Sequence, residues 1–172
     1  MHVRFEIRPE CADDADVIRG VTEAAFKFND HSSGTEGAII DALREADALA
    51  ISLVAVIDNE TVGHIAFSPV TIEGDHLGWF GLGPVAVRPD LHKRGIGSAL
   101  IREGLARLKQ AGASGCVLVG DPAYYCRFGF ENDPAMRYED LPPEYFMRLA
   151  FSDSAPTGRV RFHAGFSASQ EP

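Results

Sequence analysis

Apolar and polar residues alternate over Val3-Arg4-Phe5-Glu6-Ile7, the two-residue period of a strand with one buried face, and Pro9 predicts its end. From Asp13 the period lengthens. Val17, Ile18, Val21 and Ala25 recur at three- and four-residue steps on one face of a helix, and Asp13 or Asp14 can accept the free amides at its start. A polar loop over Asn29 to Gly34 precedes a second helical pattern, Ile39, Ile40 and Leu43, with Thr35 as the expected cap. Ile51 to Ile57 reads as a buried strand, Asp58-Asn59-Glu60 as a turn, and Thr61 to Ile72 as a second strand with a bend or edge position at Pro69. Glu73-Gly74-Asp75 turns the chain into Leu77 to Val87, which completes a three-strand antiparallel meander. Inside that third strand, Gly81-Leu82-Gly83-Pro84 works against regular pairing. Proline has no N–H for the ladder and glycine suits a bulge, so the strand is expected to splay from its neighbour.

The helix beginning near Gly95 keeps Ile96, Leu100, Ile101, Leu105 and Leu108 on its apolar face, turns Arg102, Glu103, Arg107, Lys109 and Gln110 outward, and can end at Gly112. Cys116 to Val119 is a short buried strand, parallel to the one ending at Val87 because a helix joins them in a right-handed crossover. Gly120-Asp121-Pro122 turns into a short helix through Tyr125 that Gly129 stops, and Phe130 starts a further strand. After the proline-rich loop of Pro134, Pro142 and Pro143 comes a last strand, Tyr145 to Phe151; residues 152–172 alternate weakly at Val160 to Phe166 and are expected to cap a sheet edge. With 172 residues and 45% apolar content, the chain suits one domain, a core over about residues 3–151 and a C-terminal extension over 152–172.

Charge is unevenly spread. Residues 1–60 carry 13 acids and 5 bases, 61–120 carry 4 and 6, and 121–172 carry 8 and 5, so only the middle third of a chain of net charge −9 is positive. Arg88, His92, Lys93 and Arg94 crowd the turn before the third helix, where the amides of Arg94 to Ser98 are the unpaired donors of a helix start. Gly95 and Gly97 allow an anion close to the main chain. The acidic balance elsewhere argues against a nucleic-acid partner and suits a cationic amine. No apolar run reaches the ~20 residues that cross a bilayer, and Met1 to Glu6 is too mixed for a signal peptide; a cytosolic protein with no membrane partner is expected. Cys11, Cys116 and Cys126 form no CxxC pair, the histidines show no metal-ligand spacing, and no GKS or GKT follows the glycines.

The order strand, two helices, three-strand meander, glycine turn, helix, strand, short helix, strand resembles the GNAT superfamily of N-acetyltransferases. That family's phosphate-binding signature is Gln or Arg, two residues, Gly, one residue, then Gly or Ala; His92-Lys93-Arg94-Gly95-Ile96-Gly97 follows it with His92 in the first place. Tyr124-Tyr125-Cys126-Arg127-Phe128-Gly129-Phe130 resembles the family's Phe-Tyr-x-Lys-x-Gly-Phe. The likeness runs over about residues 3–132 and is strongest to the bacterial YhbS-type branch, where the strings Ala-Phe-Ser-Pro-Val (66–70), Gly-Asp-Pro-Ala (120–123) and Arg-Phe-Gly-Phe-Glu (127–131) recur.

The resemblance implies an α/β (α+β) fold: a mixed, mostly antiparallel central sheet splayed between its fourth and fifth strands, with helices on both faces. It also implies acetyl-CoA as cosubstrate, with no metal. The pantetheine arm would lie between Leu82–Val87 and Cys116–Gly120 against backbone groups of Val85 and Val87, and the pyrophosphate on residues 93–98. The implied cofactor-binding set is Val85, Ala86, Val87, His92, Lys93, Arg94, Gly95, Ile96, Gly97, Ser98 and Tyr125. Tyr125 aligns with the family's general acid, a phenol that stays protonated at neutral pH, and the Val85 N–H is placed to polarise the thioester carbonyl. Tyr124 takes an apolar position of the motif and is expected in the core.

Trp79 to Val87 holds no acid or histidine, so the base must come from elsewhere: His64, Glu36 or an ordered water relay. Cys126 beside Tyr125 has no neighbouring base for an acyl-cysteine route, and Asp121 reads as a helix cap. Phe26, Phe28, Asn29 and His31 lie where relatives build the acceptor pocket. The acceptor expected is a primary amine of a small molecule or peptide, and the strand edge around residues 145–166 allows a homodimer. A second function class, a non-catalytic acyl-CoA-binding module, shares the glycine turn but does not need the phenol.

Overall fold

The computed structural model describes residues 3–27, 34–138 and 141–168. Six strands form one sheet in the spatial order β1 (Glu6–Pro9), β2 (Ile51–Ile57), β3 (Glu60–Pro69), β5 (Trp79–Val87), β6 (Gly115–Val119) and β8 (Phe146–Ala150). Only β5 and β6 run parallel. Because successive side chains of a strand face opposite ways, Leu53 and Ala55 meet α3 (Ile96–Gln110) through Ile96, Leu100 and Ile101, while Val54 meets Ile18 of α1 (Ala15–Phe26) and Ile40 of α2 (Glu36–Glu45). Helices therefore cover both faces. At the β5–β6–β8 end, the α1 side is covered instead by a second sheet, β4 (Thr71–Ile72), β9 (Gly158–Arg161) and β7 (Met136–Arg137), whose Ile72, Val160 and Met136 pack with Trp79, Val117 and Phe146.

Two close approaches set the spacing of these layers. The ring of Trp79 lies where a Cβ of Gly115, its neighbour across the parallel pair, would stand at 2.4 Å. The ring of Phe67 on β3 occupies the Cβ position of Gly104 on α3, at 2.3 Å, so the helix sits against the sheet at a distance that alanine would not permit.

The expected interruption in the third meander strand is present. Strands β5 and β6 pair only at Trp79–Gly115, Phe80–Cys116 and Gly81–Val117, after which they diverge. On its other edge β5 stays paired with β3 through a bulge: Ile65 faces Val85 and Phe67 faces Leu82, so two steps on β3 span three on β5. Gly83 absorbs the extra residue at φ +133°, a conformation closed to side chains. Beyond the divergence Val119, at the end of β6, is 39% exposed, whereas the four residues before it are buried.

Several expectations need correction. The first strand starts at Glu6 rather than Val3; it ends at Pro9 as expected, and Pro9 is tolerated inside it because β1 is the outermost strand and a missing N–H on its free edge costs no ladder bond. Asp14 stands before α1 but serves the preceding turn, accepting from the Cys11 N–H at 2.8 Å and the Arg8 guanidinium at 2.7 Å; the Arg8 hydrogen bond holds its carboxyl well below the usual carboxylate range. Val17 points outward, 46% exposed. The strand expected over Thr61 to Ile72 divides after Pro69, and its last two residues join the second sheet. Phe130 starts no strand; Glu131 makes a single bridge to Arg148 and covers the outer edge of β8. Residues near Val160 form the middle of the second sheet rather than an edge cap. Except for Gly34, the loop expected over residues 29–34 lies outside the described residues.

One polar chain crosses the α1 side of the sheet. Glu10 takes both Arg44 guanidinium nitrogens (3.0–3.2 Å) and the Ser52 hydroxyl. A carboxylate only accepts, so the single Ser52 hydrogen goes to Glu10, and His64 Nε2 must donate to Ser52 Oγ at 2.7 Å. His64 is fully buried with Nδ1 as an acceptor that has no donor among the described residues. Burial first, and the Arg44 charge second, push its pKa down from 6.5 to about 3.

The unfolded chain therefore binds a proton at His64 below pH 6.5 that the folded chain refuses until about pH 3. Stability from this group is full above pH 6.5 and falls as pH drops through that window, at up to about 1.4 kcal/mol per pH unit. Urea unfolding of the wild type and His64→Gln between pH 6 and 4 should show a slope shallower by that order in the variant; coincident slopes would mean that the folded protein already carries the imidazolium. Gly104→Ala should lower the urea midpoint, with about 1–3 kcal/mol of overpacking against Phe67 outweighing alanine's better helix propensity.

Candidate functional site

The chain leaves β5 at Val87, makes one 3-10 turn over Pro89–Leu91, and enters α3 through Lys93 at φ +64° and Gly95 at φ +84°. This path brings the first amides of α3 to the end of β5 where β5 and β6 have parted. No heavy atom lies within 4 Å of a Cβ built on Gly95, and one on Gly97 would make only ordinary contacts, 3.7 Å from Val87 Cγ2 and 4.0 Å from the Tyr124 hydroxyl. Gly95 is thus demanded by its backbone angle, while Gly97 is demanded by no neighbour; its missing side chain keeps space open above the amides.

That space is a cavity of about 540 Å³. Of the predicted set, Val85, Val87, His92, Lys93, Gly95, Ile96, Gly97 and Ser98 line it, together with Leu91, Ile101, Tyr124 and Arg127. Among the described residues no aspartate or glutamate does. Lys93 takes no carboxylate partner among the described residues, nor does Arg94, whose side chain is not part of the lining. Arg88, counted with them in the sequence, is turned away and held by Asp90 at 2.7 Å and Glu60 at 3.3 Å. A helix N-terminus, two cations and no acid form a chemical environment suited to a pyrophosphate-sized anion.

His92 works on the protein itself. Its Nε2 lies 2.7 Å from the Val87 carbonyl, which can only accept, so the ring donates there and ties the turn back to the end of β5. Ala86 sits opposite His64 with its side chain on the far face, so any part it plays at the cavity is through its backbone.

The two tyrosines reverse one expectation. Tyr124 is not sealed in the core: its hydroxyl lies 3.2 Å from Ser98 Oγ and faces the cavity. The sequence held no signal for this, because Phe or Tyr fills that motif position equally well. The Tyr125 ring packs edge-on to Tyr124 and lies so close over Gly120 that a Cβ there would be 2.4 Å away, which puts the ring at the end of β6 beside the divergence. Its side chain is not part of the cavity lining, and its hydroxyl bonds to no described residue. Burial, then the neighbouring Tyr124, push its pKa up to about 12, so it remains a proton donor across the neutral and alkaline range. Asp121 caps the short helix α4 (Pro122–Tyr125) by accepting from Ala123 N at 3.0 Å, and Cys126 is exposed with its thiol 3.6 Å from the Ala123 carbonyl.

Neither candidate base reaches this cavity. His64 is directed into the Ser52–Glu10 chain on the other side of the sheet, and Glu36 lies in the first turn of α2. Phe28, Asn29 and His31 fall outside the described residues; Phe26 is the last residue of α1.

The model of the acetyltransferase (GNAT) domain matches residues 6–132. The Escherichia coli K12 protein named "Uncharacterized N-acetyltransferase YhbS" is 33% identical over 168 residues, covering 94% of this chain and 98% of its own length. A crystal structure of a GNAT family acetyltransferase from Brucella melitensis in complex with acetyl-CoA is 52% identical, with a TM-score of 0.86 over 96% of this chain and 99% of that one. The structure of E. coli YhbS in complex with CoA superposes with a TM-score of 0.89 at 33% identity, covering 97% of this chain and 94% of that one. By fold, motifs and these likenesses, the chain belongs to the GNAT family of N-acetyltransferases.

Proposed function

We propose that this chain is an acetyl-CoA-dependent N-acetyltransferase that acts on a primary amine of a small molecule or peptide by direct attack. The observation that carries the reading is the meeting of two features: a cavity above the first amides of α3 that no described acid lines, and the parting from β6 of the strand β5 whose Val85 and Val87 line it. Relatives crystallised with acetyl-CoA or CoA support the same ligand. The residues present fit it, since Gly95 and Gly97 leave the amides uncovered and Val119 offers apolar surface where β6 has parted from β5.

Acetyl-CoA supplies the acetyl group activated as a thioester. In this reading the amides of residues 94–98, with Lys93, hold the pyrophosphate, and the gap between Leu82–Val87 and Cys116–Gly120 receives the pantetheine. The Val85 N–H donates to the acetyl oxygen, which gains charge as the amine nitrogen bonds to carbon and the carbon–sulfur bond breaks. The amine attacks in its neutral form and loses one proton to water, while the Tyr125 phenol gives its proton to the departing sulfur and regains one from water. Thirteen acids against five bases in residues 1–60, the region that includes α1 and α2, favour an acceptor that is cationic in solution.

The competing reading, a non-catalytic acyl-CoA-binding module, draws on one observation: no acid or histidine stands on β5 to take a proton from the amine. A thiol-release screen with acetyl-CoA over amino acids, polyamines, aminoglycosides and peptide N-termini separates the two. Turnover with one class supports transfer, and tight CoA binding with no turnover across the panel supports the module. Tyr125→Phe should lower kcat by about 100-fold or more and change CoA affinity less than about twofold; unchanged kcat removes the phenol from its role. Because the phenol stays protonated up to about pH 12, no alkaline limb of the rate profile below about pH 11 should disappear in Tyr125→Phe. Gly97→Asp, which sets a carboxylate against the same amides, should weaken CoA binding by more than about tenfold in calorimetry.

A further inference from the structure

A second cavity, of about 410 Å³, adjoins the first, and Arg127 lines both. Arg102, Lys109, Leu105, Phe128 and Phe151 are among its walls. Its three cations take no carboxylate partner among the described residues, whereas Arg107, on the same helix, is paired with Glu103 at 2.9 Å. In a chain of net charge −9 that concentration of unneutralised positive charge needs an account. Two of the guanidinium groups are also held in place. Arg102 Cζ lies 5.0 Å over the Phe128 ring, and Arg127 Cζ lies 4.4 Å over the Tyr124 ring while its Nε donates to the Tyr124 carbonyl at 2.8 Å. Aromatic faces leave the terminal nitrogens of both groups available for hydrogen bonding to an oxyanion.

The position relative to the first site is informative. Arg102 follows Ser98 by one turn on the same side of α3, a rise of about 6 Å. In CoA the ribose that carries the pyrophosphate on its 5′ oxygen carries a second phosphate on its 3′ oxygen, so a ligand whose pyrophosphate rests on residues 94–98 brings another dianion one sugar ring away. We propose that Arg102 and Arg127 form the seat of the ribose 3′-phosphate, and that this seat makes the protein select CoA over 3′-dephospho-CoA. The inference rests on the acetyl-CoA reading above and adds the residues that recognise the nucleotide end.

Calorimetric titration with CoA, 3′-dephospho-CoA and inorganic phosphate tests it. The wild type should bind CoA about tenfold or more tightly than dephospho-CoA. Arg102→Gln should shrink that ratio to about threefold or less by weakening CoA alone, Arg127→Gln, at a residue that also lines the first cavity, should weaken CoA more than dephospho-CoA, and Arg102→Lys should recover part of what Arg102→Gln loses. Retained dephospho-CoA affinity is at once the proof that Arg102→Gln is folded. Equal affinity of the wild type for both nucleotides, or an equal loss for both in Arg102→Gln, overturns the seat and leaves the acetyl-CoA reading standing. Inorganic phosphate that binds the wild type without competing with CoA assigns the cations to a separate anion and also overturns it. Failure of both nucleotides to bind overturns the acetyl-CoA reading and the seat together.

Discussion

The divergence of β5 from β6 after Gly81 is the constraint on which the rest depends. A parallel pair that continued to Val87 would bury the backbone of both strands and fill the space in front of α3. Here β5 keeps its partner on one side only, and the register shift at Ile65–Phe67 is what lets it hold β3 while turning away from β6. The cost of the lost ladder is limited because it falls at the strand ends, with three parallel rungs kept and β6 still paired along its length to β8. The gain is that Val85 and Val87 of β5 line a cavity in front of α3, while Phe67 against Gly104 and Trp79 over Gly115 fix how the neighbouring elements pack.

The same divergence determines what each neighbouring residue can do. His92 closes the turn by donating to the Val87 carbonyl, which removes one unsatisfied backbone group from the open edge and fixes the approach to α3. Lys93 and Gly95, both at positive φ, then aim the helix start at the cleft. A Gln or Arg at position 92, as the family signature has, would be long enough to reach a ligand instead. In this chain the side chain at position 92 is committed to its own main chain.

Much of this was legible in the sequence, and the limits have physical causes. The meander, the interruption at Gly81 to Pro84, the glycine turn and α3 were readable because each has a period or a backbone requirement that few residue types satisfy. The second sheet was not, since strands of two, two and four residues are too short to display alternation, and their pairing joins positions as distant as Thr71 and Arg161. The Glu10–Ser52–His64 chain was equally hidden: it links three strands through side chains whose spacing carries no motif. His64, a candidate base by residue type, is explained by that chain, which uses its Nε2 hydrogen and keeps it neutral by burial.

Tyr124 and Tyr125 show how position overrides residue type. They are adjacent, their rings stand at 84° to each other, and their hydroxyls meet different surroundings. Tyr124 is met by Ser98 at the helix start, where a hydroxyl can serve an anion, and its ring supports the Arg127 guanidinium. Tyr125 is pressed over Gly120 at the end of β6, where burial raises its pKa and no described group competes for its hydrogen. A proton donor for a thiolate needs that second environment rather than the first: the acid must stay protonated, and its hydrogen must not be committed before the leaving group arrives. In the proposed transfer that requirement falls on Tyr125 rather than Tyr124, because burial keeps its phenol protonated and no described residue takes its hydrogen.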